Sequence, residues 1–110
     1  MNKITAAITA VGAYVPDYVL TNQILETLVD TNDEWITART GIKKRRILKE
    51  KGKATSYLAI NAAKDLLNRN GVDPKTIDLV ILATITPDYH VASTAPTVAS
   101  EIKALNAYAF

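Results

Sequence analysis

Two apolar rhythms run along this chain. From Ile4 to Tyr14 β-branched and small apolar residues follow one another with little polar interruption, which predicts a largely buried strand closed by Pro16 and Asp17. The rhythm then lengthens. Ile24, Leu25, Leu28 and Val29 fall on one face of a short helix that Thr21 can cap. Thr31 or Asn32 can cap a second short helix. Asp33 and Glu34 sit in its first turn, where the helix dipole favours acids, and Gly41 stands where a helix commonly stops. Ile42 to Leu48 reads as extended and leads into a basic loop around Gly52.

The longest helix starts at Thr55 or Ser56, carries an apolar stripe of Leu58, Ala59, Ala62, Ala63, Leu66 and Leu67, and ends at Asn70-Gly71. Asp73-Pro74 opens a turn of helix, with proline at a favoured first position. Leu79 to Ile85 is a continuous apolar run, the mark of a strand covered on both faces. A loop through Pro87 and Val91 follows. A helix from Ser93 or Thr94 to near Leu105 and an apolar strand from Ala107 to Phe110 complete the series. Strands alternating with helices imply an α/β fold, a mostly parallel sheet with helical crossovers. The terminal apolar strand leads us to expect that residues 1–110 are the front of a larger protein.

Composition narrows the chemistry. The chain has 110 residues, 48% of them hydrophobic, and a formal net charge of +2. Those values suit a globular domain and argue against a nucleic-acid binder. Positive charge is concentrated between residues 39 and 53, where Arg39, Lys43, Lys44, Arg45, Arg46, Lys49, Lys51 and Lys53 face only Glu50. Such a run suits an acidic partner, phosphates or plain solvent. No cysteine is present, which removes disulfides, thiolate-bound metals and a cysteine nucleophile from this stretch. No apolar run reaches the roughly 18 residues of a membrane span, so the expected location is the cytoplasm, with no membrane partner.

The segment around the only tryptophan carries the most specific signal. Trp35 and Arg39 are four residues apart, which puts them on one helix face. A flat indole beside a planar cation can grip an adenine ring and a phosphate. Thr31 joins the same edge if the helix begins there. The competing reading packs Trp35 in the core and pairs Arg39 with an acid. His90, the only histidine, falls in a loop without a nameable catalytic partner. No carboxylate pair, glycine-rich phosphate loop or metal-ligand set stands out.

Several blocks together resemble β-ketoacyl-acyl-carrier-protein synthase III, of the thiolase superfamily: Gly12-Ala-Tyr-Val-Pro16, Thr21-Asn22, Asp30-Thr-Asn-Asp-Glu-Trp-Ile36, Arg39-Thr-Gly-Ile42 and Asp78-Leu-Val-Ile-Leu-Ala-Thr84. The similarity runs along essentially the whole chain. It implies that residues 1–110 form the N-terminal portion of the first half of a thiolase-like fold. It also implies a homodimeric acyltransferase that condenses an acyl-coenzyme A primer with malonyl-acyl-carrier protein. The positions matching Trp35 and Arg39 hold the adenine end of coenzyme A in that family, and the one matching Thr31 lies at the same mouth. Coenzyme A enters as substrate, and no permanently bound cofactor is implied.

The family's cysteine nucleophile and its histidine and asparagine lie beyond the position matching Phe110, so the chain alone is expected to be inactive. The position matching Val91 shapes an acyl pocket across the dimer interface, and a valine there implies room for more than an acetyl primer. Arg45 and Arg46 follow the Arg39-to-Ile42 block and are the members of the basic run that the resemblance brings nearest the ligand. Other thiolase-superfamily ketosynthases, a non-catalytic nucleotide-binding module and a purely structural fragment are the alternatives.

Overall fold

The computed structural model describes residues 5–110, so Ile4, at the start of the first expected strand, lies outside the described residues. In chain order the elements are strand β1 (Val19–Thr21), helix α1 (Asn22–Glu26), helix α2 (Asp33–Thr40), strand β2 (Lys44–Arg46), helix α3 (Thr55–Asn70), a 3-10 turn (Pro74–Thr76), strand β3 (Leu79–Val80), helix α4 (Ala95–Glu101) and strand β4 (Tyr108–Ala109). The chain divides into two compact units. One is Val15–Lys53, and the other joins the segment through Tyr14 to Ala54–Phe110.

In the larger unit β3 and β4 pair in parallel, with Leu79 opposite Tyr108 and Val80 opposite Ala109. The pairing extends past both strands, since the Leu82 N–H donates to the Phe110 carbonyl at 3.0 Å. The chain crosses from one strand to the other through α4, the expected helical crossover. Leu67 of α3, Val98 of α4, Ile102 and Ala104 form the buried core, with Ala63, Leu66, Val80 and Leu82 packed around it. α3 stops at Gly71, whose φ of 62° is the left-handed conformation that glycine adopts without strain. It starts at Thr55, one of the two expected first residues. The N-cap residue is Ala54, which has no side chain to offer, and the Asp88 carboxylate supplies the acceptor instead, taking the Ser56 N–H at 2.8 Å.

Two strand expectations are corrected. Residues 5–14 belong to no strand among the described residues, and Ile8 and Val11 are exposed rather than buried. The segment does touch α3: a Cβ added to Gly12 would stand 2.5 Å from the Leu66 Cβ and 2.6 Å from the Ala62 carbonyl. The Leu79–Ile85 run is covered on one face only. Val80 and Leu82 point into the core, whereas Leu79, Ile81 and Ile85 are exposed. An unbroken apolar run records what a strand can bury, and burial requires neighbours on both faces; within this chain α3 and α4 provide them on one.

The smaller unit contains an antiparallel pair that the helical and apolar rhythms did not reveal. β1 and β2 match Val19 with Arg46, Leu20 with Arg45 and Thr21 with Lys44. Thr21 caps α1 as expected, its hydroxyl accepting the Ile24 N–H. The helix ends at Glu26, and Leu28 and Val29 lie beyond it, exposed.

Candidate functional site

α2 begins at Asp33, with Asn32 as its N-cap; the Asn32 side chain accepts the Trp35 N–H at 2.8 Å. Asp33 and Glu34 occupy the first turn and Arg39 the last, each on the side its charge favours. Gly41 closes the helix at φ 70°. This start corrects one expectation. Thr31 lies before the cap and is not on the helix, so it does not continue the Trp35–Arg39 edge through helical spacing.

Trp35 is 54% exposed, and the Arg39 guanidinium carbon lies 5.0 Å from its ring centroid. That geometry excludes the reading in which Trp35 is sealed in a core within this unit. It also gives Arg39 an aromatic neighbour; among the described residues the ion pair is Arg69–Asp65, not one made by Arg39. Two shallow depressions flank the indole. Asp30, Thr31, Asn32 and Trp35 line one, and Asn32, Glu34, Trp35, Ala38 and Arg39 line the other. Asn32 and Trp35 line both. The structure thus brings Thr31 to the indole by the loop before the helix, and Arg39 to it by the helix itself.

The basic run divides by role. Arg45 turns inward, its Nη2 donating to the Asn22 side-chain Oδ1 at 2.8 Å. Arg46 donates to the Pro16 and Asp17 carbonyls, and Lys49 sits 3.7 Å from the centre of the Tyr18 ring. Lys43 and Lys44 are exposed. The two arginines that the sequence brought nearest the ligand are therefore engaged in holding the strand pair. Asn22, which sequence reasoning noted only as part of a block, is fully buried and contacts Asp33, Thr37, Ile42 and Arg45. Its one advance signal was a polar residue directly after a helix cap.

His90 is exposed in the loop between β3 and α4, beside Val91, which is 99% exposed. Among the described residues no three histidine or acidic side chains stand together as metal ligands, and no helix is long and apolar enough to cross a membrane.

Comparison with known proteins adds identity to this geometry. No family model matches the chain. The chain is 62% identical to the beta-ketoacyl-(acyl-carrier-protein) synthase III of Porphyromonas gingivalis across all 110 residues, which make up 33% of that protein. It superposes on the crystal structure of 3-oxoacyl-(acyl-carrier-protein) synthase III from Aquifex aeolicus with a TM-score of 0.84 and 50% identity, covering 92% of this chain and 32% of that one. The priming beta-ketosynthase of the R1128 polyketide pathway gives the same TM-score at 36% identity, covering 92% of this chain and 30% of that one.

The fold is therefore the α/β fold of the thiolase-like ketosynthases. Within that class the chain is a homologue of β-ketoacyl-acyl-carrier-protein synthase III, as the Asp33-to-Ile36 and Arg39-to-Ile42 blocks imply. It spans about one third of the length of the relatives it matches.

Proposed function

We propose that this chain is part of an acyltransferase that condenses an acyl-coenzyme A primer with malonyl-acyl-carrier protein to initiate fatty-acid synthesis. Its own contribution is to hold the adenine end of coenzyme A. The observation that carries this reading is the exposed Trp35–Arg39 pair, set between two depressions on a chain homologous to synthase III. The half-exposed indole can stack on adenine, an interaction worth about 1–3 kcal/mol per base. The guanidinium offers a planar fork of donors to a phosphate. Thr31 provides a hydroxyl at the rim of the first depression.

The chain contains no cysteine, so the acyl-carrying thiolate is supplied from outside it. The working form is a cytoplasmic homodimer. Coenzyme A is a substrate, the carrier protein is the second partner, and neither nucleic acid nor membrane has a role. Val91 supports a primer pocket wider than an acetyl-only enzyme has; strict preference for acetyl-coenzyme A in a primer-selectivity assay would remove that part.

Calorimetric titration of the whole protein with coenzyme A tests the binding reading. The expected result is saturable binding that Arg39→Ala and Trp35→Ala both weaken. Binding unchanged in both variants would overturn it.

A further inference from the structure

The feature that sets the direction of α2 is a single buried amide. Eight residues are too few for a helix to sustain itself in water, and α2 contributes one buried apolar residue, Ile36, to hold it in place. Its polar contacts are more extensive. Asp33 and Thr37, four residues apart, share a face, and both meet Asn22: Nδ2 donates to Asp33 Oδ1 at 2.6 Å and to Thr37 Oγ1 at 3.4 Å. The same nitrogen donates to the Ile42 carbonyl, just past the helix, at 2.8 Å. Trp35 and Arg39 form a second pair with the same spacing. At about 100° per residue they lie about 200° around the axis from Asp33 and Thr37, which is the opposite face.

Asn22 is itself firmly placed. It is 0% exposed, its backbone N–H donates to the Lys43 carbonyl at 3.2 Å, and its side-chain oxygen accepts from Arg45 at 2.8 Å. The partners fix which way the amide faces, since a carboxylate and a carbonyl need its nitrogen and a guanidinium needs its oxygen. One side chain thus ties together the first and second turns of α2, the segment that follows and β2. No shorter or apolar residue can make these contacts, and a buried polar set that loses one member leaves the others unpaired.

We propose that Asn22 is a positioning residue for the coenzyme A grip: it clamps the inward face of α2 so that the outward face presents Trp35 and Arg39 in one orientation. This rests on the reading of those two residues given above. Asn22 touches neither ligand nor reacting atoms, and its effect passes through the helix.

The test uses the whole enzyme and measures KM for acyl-coenzyme A, KM for malonyl-acyl-carrier protein and kcat. Asn22→Ala should raise the acyl-coenzyme A KM about tenfold, leaving the carrier-protein KM and kcat within about twofold. Asp33→Ala should do the same, whereas Asp33→Asn, which keeps an acceptor for the Asn22 amide, should stay near wild type. If Asn22→Ala does not fold, the Asp33 pair decides by itself. An unchanged acyl-coenzyme A KM in the alanine variants, or equal losses in both KM values, would overturn the positioning role. Trp35→Ala and Arg39→Ala are measured alongside. If they shift the acyl-coenzyme A KM and the Asn22 and Asp33 variants do not, the positioning role alone falls. If neither of them shifts it, the ligand reading falls first and takes the positioning role with it.

Discussion

The Arg39 guanidinium carbon stands 5.0 Å from the centre of the Trp35 ring, one helical turn along α2. An exposed contact of this kind stabilises the free protein by about 0.5–1 kcal/mol, too little to explain by itself why an indole should be left more than half in water. Under the proposed function the pair serves as two halves of a receptor, a π face and a cation held in register before a nucleotide arrives.

Removing either half should therefore weaken coenzyme A binding more than it weakens folding. Trp35→Ala should raise the dissociation constant of coenzyme A about tenfold or more, and Trp35→Phe by less, as expected for lost stacking. Arg39→Lys should recover only part of what Arg39→Ala loses, because an ammonium lacks the planar fork. Calorimetric titration of each variant, with thermal midpoints measured in parallel, separates the two effects.

Asn32 should matter for stability through the helix start it caps. Its side chain satisfies the Trp35 N–H, and Asn32→Ala should cost about 1 kcal/mol in denaturant unfolding. Asn32→Asp or Asn32→Ser should restore most of it, since either supplies an acceptor. Equal losses in all three variants would show that the side chain acts in some other way.

Gly12 has no room for a methyl group. An added Cβ would lie 2.5 Å from both the backbone nitrogen and the Cβ of Leu66 in α3, and helix backbone does not yield as a flexible side-chain tip does. Gly12→Ala should destabilise the protein by about 1–3 kcal/mol, read as a lower unfolding midpoint at an unchanged denaturant slope.

Acid should loosen the tie between the same segment and α3. The Asp65 carboxylate accepts the Ala13 N–H at 3.0 Å, and that bond is the main reason its pKa lies below the ordinary 3.8. Slight burial works the other way, and the 2.9 Å contact with Arg69 adds to the lowering. A carboxylate depressed in the folded state stabilises it fully above the unfolded pKa, and that contribution disappears as pH falls through the lower folded value. Thermal midpoints of wild type and Asp65→Asn should differ at neutral pH and converge as the pH drops below about 3.8, the unfolded value.

Local signals in the sequence were reliable where the cause is local. Thr21 caps α1, Gly41 and Gly71 end α2 and α3 in left-handed backbone, and the 3-10 turn begins at Pro74, each as the residue type dictates. The spacing of Trp35 and Arg39 placed them on one face because helical geometry alone decides it. Thr31 was misplaced by that same rule. Asn32 competes for the cap and wins, and the threonine reaches the indole through loop geometry that spacing does not encode. Asp88 capping α3 from a distant loop, and the β1–β2 ladder, were equally invisible to local pattern.

By itself, then, the sequence determined the helices, the stops of α2 and α3 at Gly41 and Gly71, the parallel βαβ order and the Trp35–Arg39 edge, together with the homology its blocks imply. Tertiary structure decided which strand faces are covered, that Arg45 turns inward, and that Asn22 becomes the buried centre of the smaller unit. The reason is one of range. A turn of helix is fixed by neighbours three or four residues away, whereas burial and the satisfaction of a buried amide depend on groups 11 to 23 positions distant that only folding brings together.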